Sequence, residues 1–168
     1  RYSDVKDLLV RVQASGRPAL LVVLDGVEDP HNLGAIIRSA HALGAHGLII
    51  PKDRAAGVTP AVAKASAGAV ELCPIARVTN VSKTVEALGA AGIWSVALAA
   101  DGEKPLSAVD LEGPTALVLG SEGEGLRPLV RRTCDMSASI PMTGGFESLS
   151  VSASAAIALY EAARQRRG

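Results

Sequence analysis

Aromatic residues are nearly missing from this chain: one Trp, two Tyr and one Phe among 168 residues. Yet 48% of the residues are hydrophobic, so the core must be built from Ala, Val, Leu and Ile, a composition that suits a parallel sheet covered by helices. Cysteine is scarce as well. Cys73 and Cys134 lie far apart and match no metal-ligand spacing; both read as small buried hydrophobes in a reducing, cytoplasmic compartment, and no metal is expected. An excess of either charge is absent, with 17 Lys and Arg against 17 Asp and Glu. This excludes a global basic field that captures nucleic acid, so any RNA contact must come from local arginines or from a part outside this chain. No apolar run reaches the ~18 residues of a membrane span, and neither a signal-peptide pattern nor an internal repeat is present. The length suits one domain with a real core.

The elements alternate. Val5, Leu8, Leu9 and Val12 stand at helical spacing in residues 1–18. Ala19 to Leu24 reads as a buried strand. Asn32 to Leu43 reads as a helix, with Asp29 or Asn32 as its cap and Gly44 as its stop. Strands are expected at Gly47 to Ile50, Cys73 to Val78, Ile93 to Leu98, Thr115 to Leu119 and Met136 to Ile140. Helices are expected from Thr59 to Ala67, with Thr59 as cap and Pro60 first, then from Asn80 to Ala90, Leu126 to Arg132 and Ser148 to Gln165. Ala100 to Pro114 reads as a polar connection. The pattern predicts an α/β fold with a mostly parallel sheet flanked by helices; it does not give the strand order.

Three blocks of glycine and polar residues interrupt this apolar background: Leu24 to Ala40, Leu119 to Leu126 and Ser139 to Ser152. Each sits at the end of an expected strand, where open α/β sheets bind ligands, and three such ends suggest one shared pocket. The glycines at 120, 123 and 125 match neither a dinucleotide fingerprint nor a phosphate-binding P-loop, which counts against a nucleotide-dependent oxidoreductase. Glu122 and Glu124 beside bare backbone would repel a pyrophosphate and attract a cationic ligand, such as a sulfonium. Asn32 and Arg38, taken alone, read as a cap and a solvated arginine, and His31 as a loop hydrogen-bonder more readily than a general base. One serine of the set Ser148, Ser150, Ser152 and Ser154 is expected to cap the last helix. Arg164, Arg166 and Arg167 suit that helix's C-terminal dipole. Arg127, Arg131 and Arg132 offer either phosphate contacts or a solvated face.

In this order, the three blocks resemble the signature motifs of the SpoU-type RNA 2′-O-ribose methyltransferases of the SPOUT superfamily. The resemblance runs from Ala19 to Arg166. Asp25 to Arg38, Pro51 to Arg54, Arg77 to Asn80 and Gly120 to Arg127 are most similar to the branch that methylates a guanosine ribose in bacterial large-subunit ribosomal RNA.

The resemblance implies a C-terminal deep trefoil knot, S-adenosylmethionine bound in that knot, and a homodimer formed through the knot and the last helix. It implies cofactor contacts at Leu98, Gly120, Ile140, Met142, Ser148 and Leu149, and a catalytic set of Asn32, Arg38, Glu122 and Ser150. Position 150 holds Ser where the family usually has Asn, and a serine offers one hydroxyl where Asn offers donor and acceptor on a longer arm. Arg38 is expected to stabilise the developing alkoxide and an adjacent phosphate, because a guanidinium is always protonated. Glu122 or a water then takes the proton. The chain begins at Arg1, and residues 1–18 are expected to end the linker from an N-terminal RNA-binding domain, with residues 19–168 as the catalytic domain. The expected substrate is ribosomal RNA. Two alternatives stay open: a transfer RNA substrate, and a catalytically weak RNA-binding relative because of Ser150.

Overall fold

The computed structural model describes residues 2–144 and 149–168. Helix α1 spans Val5–Ser15, with Asp4 and Asp7 closing a reciprocal capping box. Strand β1 is Leu20–Asp25, helix α2 Pro30–Ala42, strand β2 Gly47–Pro51 and helix α3 Pro60–Ala65. Then come β3 (Ile75–Val78), α4 (Val81–Ala90), β4 (Trp94–Leu98) and β5 (Lys104–Pro105). The chain continues with β6 (Thr115–Gly120), α5 (Pro128–Thr133), β7 (Met136–Ser139) and α6 (Val151–Arg166).

The seven strands form one sheet in the order β3-β2-β1-β6-β4-β7-β5, and every pairing is parallel. Alternation along each strand sorts the core into two layers. From β1, Leu20, Val22 and Leu24 pack on one face with Leu33, Ile36 and Ile37 of α2, Val62 of α3 and Leu159 of α6. Leu21 and Val23 pack on the other with Leu8 of α1, Val85 and Leu88 of α4 and Val130 of α5. β1 and β6 lie in the middle of the sheet and every residue in them is buried. A strand covered on both faces has no polar side to show, which is why these two read as unbroken apolar runs.

Most elements fall where the sequence pattern puts them, with ends shifted by one to three residues. Asp29 caps α2, Thr59 caps α3, Asn80 caps α4 and Ser150 caps α6, each accepting a hydrogen bond from a backbone N–H of the first turn. The expected polar connection from Ala100 to Pro114 is more structured than its composition suggests. It contains the edge strand β5, and Leu106, Val109 and Leu111 within it are buried. A two-residue strand is too short to show a period, and its Pro105 is tolerated because β5 is the edge. No helix among the described residues is long and apolar enough to cross a membrane.

Candidate functional site

The carboxyl ends of β4, β6 and β7 surround a cavity of about 660 Å³, well within the range of small-molecule sites. Its walls are largely main chain: Leu98 to Asp101, Leu119 to Leu126 and Ser139 to Met142, closed by Leu149 and the first turn of α6. Three carboxylates, Asp101, Glu122 and Glu124, line it against one guanidinium, Arg131. That cation is already neutralised by Asp101 at 2.7 Å, and the pairing holds the Asp101 carboxyl below the usual range. The remaining field is negative and suits a positively charged ligand.

The β6 loop is held tightly. Ser121 and Gly125 exchange backbone hydrogen bonds at 3.0 and 3.2 Å, closing residues 121–125 into a compact turn. Gly120 lies under that turn. A Cβ there would sit 2.1 Å from the Gly125 carbonyl carbon and 2.3 Å from the Leu126 nitrogen, so only glycine lets the backbone fold back so closely.

The turn brings the second block against the first. Asn32, in the first turn of α2, donates through Nδ2 to Glu122 Oε2 in a short hydrogen bond across 90 residues of sequence. The same Nδ2 reaches the capping carboxylate of Asp29 at 3.5 Å. Beneath both loops lies Asp25, fully buried at the end of β1 and in register with Gly120. Arg127, just past the glycine turn, grips it through Nε (2.9 Å), Nη2 and its own backbone N–H (3.2 Å). Asp25 and Arg127 therefore tie the far end of the Glu122 turn to β1. The pair was invisible at sequence level, because an Asp-Gly dipeptide after a strand reads as turn chemistry. The only hint was a charged residue at the end of an otherwise apolar run.

The expected site residues divide into three groups. Leu98, Gly120, Ile140, Met142 and Leu149 all line the cavity together with Glu122, and Asn32 meets Glu122 at its rim. Ser150 caps α6 by accepting from Ala153 N–H at 3.2 Å, so its hydroxyl already has a structural task. Arg38 is exposed and is not among the lining residues. Six residues after Asn32 on the same helix, it stands about 9 Å further along the axis. Ser148 lies outside the described residues. Of the arginines after the glycine turn, Arg127 and Arg131 are engaged in ion pairs. No group of three or more His, Cys, Asp or Glu that could hold a metal occurs among the described residues.

A parallel α/β sheet whose carboxyl edge carries one backbone-walled, acidic cavity defines the class: an α/β domain with a single small-ligand pocket at its strand ends. The chain belongs to the SpoU rRNA Methylase family, whose family model matches residues 19–160. It is 51% identical over 163 residues to the 23S rRNA (guanosine-2′-O-)-methyltransferase RlmB of Coxiella burnetii, covering 97% of this chain and 65% of that protein. Among solved structures it resembles the SpoU methyltransferase AviRb of Streptomyces viridochromogenes, with a TM-score of 0.87 and 39% identity over 99% of this chain and 65% of that one. The AviRb complex with AdoMet matches at a TM-score of 0.83 and 40% identity, covering 90% of this chain and 59% of that one. The chain thus spans slightly less than two thirds of the length of these relatives.

Proposed function

We propose that this chain is the catalytic part of an enzyme that transfers a methyl group from S-adenosylmethionine to a ribose 2′-oxygen in RNA, with a guanosine of large-subunit ribosomal RNA as substrate. The observation that carries this reading is the Asn32–Glu122 pair, set at the rim of a backbone-walled acidic cavity. The relatives named for 23S rRNA methylation and for an AdoMet complex support it. The cavity fits the cofactor chemically. The close approach at Gly120 leaves main-chain groups for an adenosine to meet, and Glu122 and Glu124 favour a sulfonium over a phosphate.

Leu98, Gly120, Ile140, Met142 and Leu149 would hold the cofactor, with Ser148 beside them. When bound, S-adenosylmethionine supplies an electrophilic methyl group on a sulfonium sulfur. The chain's task is then to orient the ribose hydroxyl and to take its proton. Asn32 spends its Nδ2 on Glu122 Oε2, which fixes the carboxylate and leaves Oε1 to accept that proton. Arg38 contributes positive charge towards the oxyanion and a neighbouring phosphate, and it is not the base, because a guanidinium keeps its proton. Ser150 contributes through the helix start that it caps.

The C-terminal trefoil knot and the homodimer belong to the same reading. The last turn of α6 is tied to the segment before β6, with Gln165 accepting from Leu111 N–H and donating to the Val109 carbonyl. α6 also leaves Ile157 and Tyr160 uncovered, the latter 52% exposed, an apolar face that a second copy would bury. Residues 1–18 would follow a preceding RNA-binding segment. A cytoplasmic setting agrees with the two free thiols, both pushed up to about 11 by burial and hence unreactive.

Calorimetric titration with S-adenosylhomocysteine, NADH serving as control, tests the pocket, and transfer of labelled methyl to 23S rRNA tests the activity. One saturable site per chain with ribose methylation is the expected result. S-adenosylhomocysteine binding without transfer to ribosomal or transfer RNA would favour the catalytically weak relative, and absence of binding by the folded chain overturns the assignment.

A further inference from the structure

Arg54 stands apart from the other arginines that meet carboxylates. Asp25, buried beneath the site, has both oxygens occupied by Arg127: Oδ1 accepts from Nε and Nη2, and Oδ2 from Nε and the backbone N–H. A second guanidinium, that of Arg54, faces the same carboxylate, with its Nη1 at 3.9 Å from Oδ1. This is close enough for attraction and too far for a hydrogen bond. Among the described residues, Arg54 has no other carboxylate within ion-pair reach and no side-chain hydrogen bond. Its five N–H donors are unspent and its side chain is 39% exposed.

The local backbone is shaped to keep it there. Arg54 has φ +57°, a left-handed conformation that a long side chain adopts only when its surroundings impose it. The hydrogen bond from Ala56 N–H to the Val27 carbonyl, 3.0 Å, stitches the loop after β2 onto the loop after β1. Gly26 leaves the room: a Cβ there would come within 3.0 Å of Arg54 Nη2. One buried carboxylate thus faces two guanidiniums, and positive charge is left over at the β1 end of the sheet. It lies on the opposite side of β6 from the acidic cavity, in the same row of strand ends as the Asn32–Glu122 pair. An arginine with a purely structural role looks different. Arg166, for instance, spends its donors on four backbone carbonyls.

We propose that Arg54 binds a phosphate of the RNA backbone next to the nucleotide being modified, with Asp25 and Gly26 holding its guanidinium in place for that contact. The inference rests on the RNA reading given above. A guanidinium offers two parallel N–H donors to a phosphate and pays little to leave a partner that it never hydrogen-bonded. Such a contact positions the polyanion without reading its sequence. The charge map then divides the row of strand ends: acidic around β4, β6 and β7 for a cationic small molecule, basic beside β1 and β2 for the anionic chain.

The test compares the wild-type chain with Arg54→Gln and Arg54→Lys. Each is measured for S-adenosylhomocysteine affinity, for equilibrium binding to a 23S rRNA transcript across a salt series, and for methyl transfer to that transcript. Arg54→Gln should keep cofactor affinity within twofold, weaken RNA binding about tenfold, and flatten the plot of log affinity against log salt by about one unit. KM for RNA should rise while kcat changes less than threefold, and Arg54→Lys should recover part of the loss. RNA affinity and salt slope equal to wild type in Arg54→Gln overturn the proposal, as does a wild-type chain that binds no RNA. A wild-type chain that binds RNA in an Arg54-dependent way and transfers no methyl leaves this contact standing and removes the catalytic reading.

Discussion

The two ends of this sheet use polar residues in opposite ways. At the amino end every important polar group is spent on closing the fold. Arg166 donates to the carbonyls of Pro18, Ala19, Leu111 and Gly113, joining the starts of β1 and β6. His46, almost fully buried, accepts the Leu20 N–H on Nδ1 at 3.1 Å and meets the Ser15 hydroxyl with Nε2 at 2.8 Å. Because Nδ1 is an acceptor there, Nε2 carries the proton and the ring is neutral. At the carboxyl end groups are held but not consumed: Glu122 keeps one oxygen free, Arg54 keeps its donors, and glycine exposes main chain. A polar group satisfied by the protein stabilises the fold, and one oriented yet unsatisfied is available to a ligand.

The contrast can be broken from either end. The largest expected effect is at Gly120. Gly120→Val drives a side chain into the Gly125 backbone and should abolish measurable S-adenosylhomocysteine binding in calorimetry, while circular dichroism still reports an α/β fold. Next is Arg166→Met, which keeps the stem and removes the donors. The carbonyls it leaves are partly reachable by water, so a loss of about 3 kcal/mol is expected, seen as a lower urea midpoint with an unchanged slope. The cofactor affinity of the folded fraction should not move.

A smaller, pH-dependent effect sharpens the amino-end reading. Burial, with Arg17 and Arg166 nearby, lowers His46 to about 4 from its ordinary 6.5. An unfolded chain therefore takes up a proton near pH 6.5 that the native chain refuses until about pH 4. The contribution of His46 to stability is full above pH 6.5 and falls as pH drops through that window. His46→Asn keeps an acceptor for Leu20 and should flatten the fall in Tm between pH 6.5 and 4. The smallest effect belongs to Ser150. Ser150→Ala should cost about 1 kcal/mol through the lost cap of α6, whereas Ser150→Asn, an equally good cap, should stay within about 0.5 kcal/mol in urea unfolding.

The same division explains what could be read from the chain. Strands such as Leu20–Asp25 and Thr115–Gly120 are legible because burial on both faces leaves an unbroken apolar run. Helix starts are legible because Asp29, Thr59 and Asn80 satisfy backbone donors only a few residues away. The cavity-lining positions followed from the family resemblance of the three blocks. The amino-end closure was not legible. Arg166 near a helix end reads as a dipole partner, and nothing local reveals that its carbonyls lie 147 and 148 residues upstream. Asp25, Arg54 and Arg127 escaped for the same reason, since their meeting depends on strand order, which local periodicity does not contain.

The Arg166 clamp has a further consequence, for synthesis of the chain. The carbonyls of Pro18 and Ala19 are made early, and the residue that satisfies them comes almost 150 positions later. Until it emerges from the ribosome, β1 and β6 can pair and their helices can dock, but the sheet's amino end stays open to water. Closing so long a loop is slow relative to local pairing. The nascent domain therefore waits, nearly assembled, for one late arginine, and a translational pause or truncation before residue 166 should leave a collapsed, protease-sensitive intermediate.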